Sequence, residues 1–537
     1  MRFIKKLSMA FIIIILTISM SFGILYFFCD RIVKFYQVEP LPLFPSDIIE
    51  LDTQGYIFEN PEERYNDYDL DSNTYDIRDF GALDRDFSTI TNDIIISNTN
   101  AINQAIEMAS LDNGIVIIPQ GNYISGKIML KSNLILRLKG NLIASRDKNH
   151  FAGQGSSIHF IYGKNIYNLI IEGDGGKIMG EGEYFWNNPL ITPLESNLKV
   201  SDVRLLKFFH FQAKREKKSG RPSPFIKIEK SNNIVFRNIV LENSPGWTLT
   251  FESSSNILVK DAVLNNNIRG GNVDGIGIVG SSDVDIDNVL IRTADDGIVL
   301  KNPKLSNSTP MTNINVRNAK IMTTCNAFKI GTETYADISN VTFVDSEILS
   351  LDIYPGAISA IAIESVDGSN LSNIYVDNII IDGVLAPLFI RLGNRNRYGG
   401  KDLMGGIDGV EIKNIVATDV QLPSIITGVK DSGKVLSATN ISIDNFNVKY
   451  LESREMILFS KRVKEHPAVY PDVWMFGDVP AYGIYIRHAE VDLSNINITP
   501  RQANRRKEIV RDWLLVNIVS KYLLKSIDTY TYKWYNY

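Results

Sequence analysis

Two cysteines in 537 residues, Cys29 and Cys325, give no disulfide framework to staple a fold. They also make no closely spaced thiolate pair of the kind that holds structural zinc. The five histidines (His150, His159, His210, His466 and His488) form no HxxxH pair and read as ordinary packed or exposed side chains. No metal or other cofactor is therefore expected. An excess of positive charge is missing too: 56 Lys and Arg against 61 Asp and Glu leave a net charge of -5. A nucleic-acid partner needs a basic face and is not expected. The one basic run, Lys214-Arg215-Glu216-Lys217-Lys218, reads as a solvated loop.

Long apolar runs are confined to the N-terminus. Arg2, Lys5 and Lys6 precede an uncharged, mostly apolar stretch of 22 residues from Leu7 to Phe28. That is long enough to span a bilayer and long for a cleavable signal, which favours an uncleaved anchor, although the small Ser21 and Gly23 make a cleavage site arguable. With the basic end inside, the rest of the chain is expected to be exported, whether periplasmic, cell-surface or secreted. If uncleaved, the segment contacts the membrane. Residues 1–29 thus form a signal peptide or membrane anchor, and residues 30–74, polar with Pro40, Pro42 and Pro45, form a linker. Residues 75–500 form one domain. Residues 501–537 form an atypical tail, basic at Arg501, Arg505, Arg506 and Lys507 and then helical in period from Trp513 to Leu523.

Helical patterns are scarce between those ends. Asn100 to Ala109 has helical spacing, and Gly114 to Pro119 is a short β-branched strand. Beyond them the chain repeats. A polar pair and alternating apolar residues recur at Asn233-Ile234, Asn256-Ile257, Asp283-Val284, Asn313-Ile314, Asn340-Val341, Asn373-Ile374, Gly409-Val410 and Asn440-Ile441, in steps of 23, 27, 30, 27, 33, 36 and 31 residues. Irregular periods of this size suit stacked coils with loops of variable length, whereas propeller blades need longer and more even units. A β-sandwich has fewer strands. Asn at the turns tolerates left-handed backbone and is placed to hydrogen-bond its counterpart on the next coil. The expected fold is all-β: a parallel β-helix, one strand after another in a solenoid, with a short N-terminal capping helix and a C-terminal helical tail. A monomer is expected.

Two neighbouring repeats carry acids at the start of the same strand, Asn272-Val273-Asp274-Gly275 and Ala294-Asp295-Asp296-Gly297. Asp274 and Asp296 are 22 residues apart, about one coil, and stacked coils lie about 4.8 Å apart. Three carboxylates then converge, and like charges that close cannot all ionise freely. That condition splits acid and base roles between carboxyl groups at neutral pH. The glycine after each acid keeps the adjoining backbone open, as a groove for a polymeric ligand would want. Two other readings stand beside catalysis. Asp-Gly pairs are common at turns, and clustered carboxylates bind hard cations such as calcium.

These residues resemble glycoside hydrolase family 28, the polygalacturonase-like hydrolases, over about Tyr75 to Ile498, and the Phe476 to His488 segment resembles a stretch of its bacterial subgroup. The similarity runs through Asp79-Phe80-Gly81-Ala82, Ile118-Pro119-Gln120-Gly121, Arg221-Pro222 and Asn243-Ser244-Pro245-Gly246-Trp247. It continues through Asn272-Val273-Asp274-Gly275, Asp295-Asp296 and Ile330-Gly331-Thr332-Glu333. The resemblance implies a right-handed β-helix that hydrolyses an α-linked, pectin-type polysaccharide with inversion. It implies Asp295 as proton donor and Asp274 and Asp296 as the groups that hold and deprotonate water, with Asn272 at the substrate. Two positions depart from the family pattern. Asn326 stands where the family has histidine, and Ala362-Ile363-Glu364 stands where an Arg-x-Lys pair grips the galacturonate carboxylate. Asparagine positions a hydroxyl or water but relays no proton, and a glutamate cannot replace a bidentate arginine. Lys329 and Arg391 are the candidate substitutes and, with Asn326, complete the expected substrate-binding set. Tyr482 and Tyr485 are candidates to stack on sugar rings. The departures point toward an exo-acting or rhamnogalacturonan-directed variant. They also keep two alternatives open: a catalytically silent carbohydrate-binding β-helix, and a polysaccharide lyase of the same fold.

Overall fold

The structure, a computed structural model, describes residues 51–56, 73–152, 158–186, 220–306, 308–351, 356–399, 405–451, 463–476, 479 and 482–499. Segment 1–29, most of the 30–74 linker, the basic run Lys214 to Lys218 and the 501–537 tail lie outside these residues. Among the described residues, no helix is long and apolar enough to cross a membrane.

The chain winds as a right-handed parallel β-helix. A 16-stranded sheet runs from Thr74–Asp76 to Ala489–Thr499, and an 11-stranded sheet from Ile128–Met129 to Ile484–Arg487. Each central coil adds one long strand to the first sheet and one shorter strand to the second, as in Asn232–Glu242 followed by Leu249–Glu252. Pairing between coils is parallel and nearly in register: Ile234 meets Ile257, which meets Val284, which meets Ile314. Side chains alternate about each strand, so one set from every coil fills a continuous apolar interior. Phe328 stacks on Phe343 there, with ring centroids 4.4 Å apart.

The expected asparagine ladder is present. Asn233, Asn256, Asp283, Asn313, Asn340, Asn373 and Asn440 all adopt positive φ. Asn233 donates to Asn168 at 2.7 Å, Asn313 to Asp283 at 2.8 Å and Asn373 to Asn340 at 3.2 Å. A second ladder lies five residues further along each coil, at Asn238, Asp261, Asn288, Asn318, Asp345, Asn378, Asn414 and Asn445. Its rungs include Asn288 to Asp261 at 2.6 Å and Asn378 to Asp345 at 2.7 Å. Both ladders lie within the long strands, one near the start and one near the middle, and fix coil-to-coil register at both points.

The capping helix spans Asn92–Ala109, so it starts eight residues before the expected Asn100. Thr91 opens it by accepting a hydrogen bond from the Ile94 amide. Ala101, Ile102, Ala105, Ile106 and Ala109 cover the first coil.

At the other end of the second sheet, residues 463–476 lie across its outer face. Trp474, Met475 and Phe476 pack with Ala362, Phe389 and Ile425, which point away from the interior on successive strands. Arg391 fastens this cover. It is 1% exposed and donates to Thr427 Oγ1, the Gly428 carbonyl and the Glu465 and His466 carbonyls.

Candidate functional site

Asp274 immediately precedes Gly275 and the strand Ile276–Val279, and Asp296 stands in the same place before Ile298–Asn302. Ile276 pairs with Ile298, and the Gly275 amide donates to the Asp296 carbonyl at 2.9 Å, so the two acids sit on adjacent coils in one register. Asp295 is half-buried beside them, its Oδ1 accepting from the Asp296 amide at 3.1 Å. The three acids singled out in the sequence are thus brought together at one edge of the second sheet.

The flanking glycines have a different reason from the one expected. A Cβ on Gly275 would lie 2.3 Å from the Gly297 carbonyl oxygen of the next coil, and one on Gly297 would lie 2.6 Å from the Ala327 carbonyl. They let coils stack closely beneath the acids; they do not open a groove. Gly275→Ala is expected to lower unfolding free energy by about 1–3 kcal/mol, as overpacking a tight interior does. An unchanged denaturant midpoint would contradict this.

Asn326, at the start of Asn326–Thr334, holds Asp296 from the following coil. Its Nδ2 donates to Asp296 Oδ1 at 2.8 Å, and its own Oδ1 accepts from Ser359 at 2.6 Å. In place of a proton relay it makes a rigid amide bracket. Asn272 is exposed, in left-handed conformation, two residues before Asp274.

Two lysines complete the site. Lys329 is 2% exposed, with Nζ 3.4 Å from Asp296 Oδ2 and 3.8 Å from Glu364 Oε2. Lys301, which the sequence pattern does not single out, lies with Nζ 3.9 Å from Asp274 Oδ2, 3.6 Å from Glu333 Oε2 and 4.1 Å from the Trp247 ring centroid. Burial works against the charge of both. For Lys301, Asp274, Glu333 and Asp296 outweigh it and hold the ammonium pKa above the ordinary lysine value. For Lys329, Asp296 and Glu364 do the same, more strongly. For Glu364 burial prevails and pushes its carboxyl up to about 8 against the pull of Lys329, which favours the neutral form.

Glu364 therefore does not place a bare negative charge in the groove, as its alignment with a substrate-gripping cation would imply. It is 1% exposed and lies against Lys329. The structure does not bring Arg391 to the acids; its donors are spent on the cover segment and Thr427. Tyr485 is 4% exposed in the apolar cluster under that cover, and Tyr482 packs beside Tyr450 with centroids 5.9 Å apart, so neither presents a free ring. Two aromatic faces border the site in their stead. Trp247 is half-buried under Lys301, and Tyr470, 52% exposed, takes a hydrogen bond from Thr332 Oγ1 at 3.0 Å. Arg221 bonds the Pro245 and Gly271 carbonyls and so ties the Trp247 loop to the turn before Asp274. Burial lowers its pKa to about 10, opposed by Asp274 and Asp295.

Among the described residues, Asp295, Asp296 and Cys325 bring ligand atoms within 4.8 Å of one another. Hard cations take six to eight oxygens and thiolates suit softer metals, so this mixed trio matches neither preference well. Acid and base chemistry suits it better.

The family model of glycosyl hydrolases family 28 matches residues 111–464. A probable polygalacturonase of Vitis vinifera is 25% identical over 218 residues, 38% of this chain and 40% of its own length. An endo-polygalacturonase of Pectobacterium carotovorum is 28% identical over 217 residues, 40% of this chain and 43% of its own. The chain thus spans less than half the length of these relatives. Among solved structures, an exopolygalacturonase from Thermotoga maritima superposes with a TM-score of 0.59 at 18% identity, over 81% of this chain and 95% of that one. The family 28 exopolygalacturonase of Yersinia enterocolitica gives 0.53 at 16% identity, over 80% and 78%. At such identities these two establish the shared fold.

Proposed function

The chain belongs to glycosyl hydrolases family 28, and on that premise we propose that it hydrolyses an α-linked, pectin-type polysaccharide with inversion, using Asp274, Asp295 and Asp296. The observation that carries this reading is the lysine pairing. Asp274 and Asp296 each have an ammonium group beside them, from Lys301 and Lys329, while Asp295 is the half-exposed member of the trio. A carboxylate that accepts a proton from water must be negative, and a fixed cation beside it supports that form. Asp295, reaching the groove, donates its proton to the leaving glycosidic oxygen. Water held by Asp274 and Asp296 attacks the opposite face of the sugar, which needs acid and base roughly 6.5–9.5 Å apart. The nearest carboxylate oxygens of Asp295 and Asp296 lie within 4.8 Å of each other, so Asp274, on the preceding coil, is the base we assign opposite Asp295. Asn272 and the Trp247 ring supply polar and stacking contacts to the sugar.

The cover supports an exo mode. The groove along the second sheet meets residues 463–476 on the outer face of Ser359–Ser365, two strands beyond Ile298–Asn302. A chain end fits against such a wall, and a through-running polymer does not. Digestion of homogalacturonan should release one small product size from the earliest time point, read by size-resolved chromatography. A ladder of intermediate oligosaccharides would count against the exo mode. The Leu7 to Phe28 segment makes export, with a membrane anchor or cleaved signal, part of the same proposal. The bracketed Asn326 favours one competing reading, carbohydrate binding without turnover. Binding of pectic oligosaccharides with no reducing-sugar release would establish that reading. Activity abolished by chelation, with unsaturated products, would establish a lyase.

A further inference from the structure

Asp296 is held on one side by a chain of contacts that ends two coils further on. Its Oδ1 takes the Asn326 amide at 2.8 Å and its Oδ2 lies 3.4 Å from Lys329 Nζ. Behind Asn326 stands Ser359, and behind Lys329 stands Glu364, both on the strand Ser359–Ser365. A lysine has a long flexible stem and three donors. Its ammonium stays at one place only if something other than Asp296 holds it there. On that sheet face Ala362 is apolar, and the Tyr470 ring of the cover segment lies over the Lys329 ammonium at 5.8 Å, farther away than Glu364 Oε2 at 3.8 Å.

Resting on the hydrolytic reading above, we propose that Glu364 is a positioning residue: it anchors the Lys329 ammonium, and through it fixes the Asp296 carboxylate that orients the attacking water. The groups facing Glu364 are Lys329 and, more weakly, Asp296, Asp472 and Arg395, and it acts in turn on Tyr470. Burial first, then Asp296 and Asp472, keep this carboxyl protonated up to about pH 8. A neutral carboxyl presents an acceptor without a second negative charge, so the charge of Lys329 is left to Asp296. Lys329 itself is 2% exposed, which suits a bracket better than a substrate ligand.

A double-mutant cycle in the full chain tests this, with kcat and KM measured at pH 6 on a pectic oligosaccharide. Glu364→Ala should lower kcat by about tenfold or more, as small misplacements of reacting groups do, with KM within about twofold. Glu364→Gln keeps a neutral acceptor and should stay within about threefold of the parent. Lys329→Met should also lower kcat, and adding Glu364→Ala to it should cost nothing further, because Glu364 acts only through the lysine. If Glu364→Ala does not fold, Glu364→Leu fills the space without a polar group beside Lys329 and replaces it in the cycle. Additive losses in the double variant, or a Glu364→Gln loss as large as that of Glu364→Ala, would overturn the proposal. Asp296→Asn, assayed in parallel, separates the two levels. If it is inactive while the cycle is additive, only this inference fails; if it is active, the hydrolytic reading fails with it.

Discussion

Asp295→Asn is expected to lower kcat by about 10²- to 10⁴-fold, the range contributed by a positioned general acid, while leaving the unfolding midpoint within error of the parent. The contrast between the two readouts comes from the local contacts. Asp295 is half-buried, and its Oδ1 accepts from the Asp296 amide at 3.1 Å, a bond that an asparagine oxygen can also make. Its backbone keeps its place through the Asp295 amide bond to the Val273 carbonyl at 2.9 Å. What the side-chain amide of asparagine cannot do is give a proton to a leaving glycosidic oxygen. Reducing-sugar release measured beside thermal unfolding checks this, and retained activity would remove Asp295 from the acid role.

Glu364→Gln is expected to change stability in a pH-dependent way. The carboxyl is raised from the ordinary 4.5 to about 8 in the folded chain. Between those values the unfolded chain has released a proton that the folded chain still binds, so stability falls as pH rises across that window. Below it, both states are protonated and glutamine mimics the neutral acid. The variant should therefore unfold like the parent near pH 4 and become progressively more stable than it toward pH 8. The upper limit is about 5 kcal/mol, from about 1.4 kcal/mol per pKa unit. Denaturant midpoints at several pH values measure it. A difference independent of pH would contradict a buried, neutral Glu364.

How much of this is legible in the sequence depends on where the determining contact lies. The ladder at Asn233, Asn256, Asp283, Asn313, Asn340 and Asn373 is readable because each coil repeats the same local demand for left-handed backbone and a side-chain amide. The second ladder, five residues on, carries an equal signal, yet it emerged only with the structure. Repeat spacing also places Asp274 beside Asp296, since register converts separation along the chain into stacking. The role of the glycines is hidden because the atoms that exclude a Cβ belong to the next coil, about 22 to 30 residues away. Lys301 resembles a surface charge until the outer face of the sheet places it against Asp274, Glu333 and Trp247. For Arg391 and Glu364, the contacts that decide their roles are not visible in the sequence. A segment some 70 residues beyond Arg391 spends its donors, and burial against Lys329 neutralises Glu364. The helix begins early because Thr91 supplies a cap that outweighs the β-branched run after it.

The most direct test of the three-aspartate account is the anomeric configuration of the first-formed product. Time-resolved proton NMR of an α-linked galacturonic oligosaccharide digest, read before mutarotation, should show the β-anomer at the new reducing end, as single displacement by water held at Asp274 and Asp296 requires. An α-anomer would mean a covalent intermediate, and an unsaturated product would mean elimination; either would contradict the account.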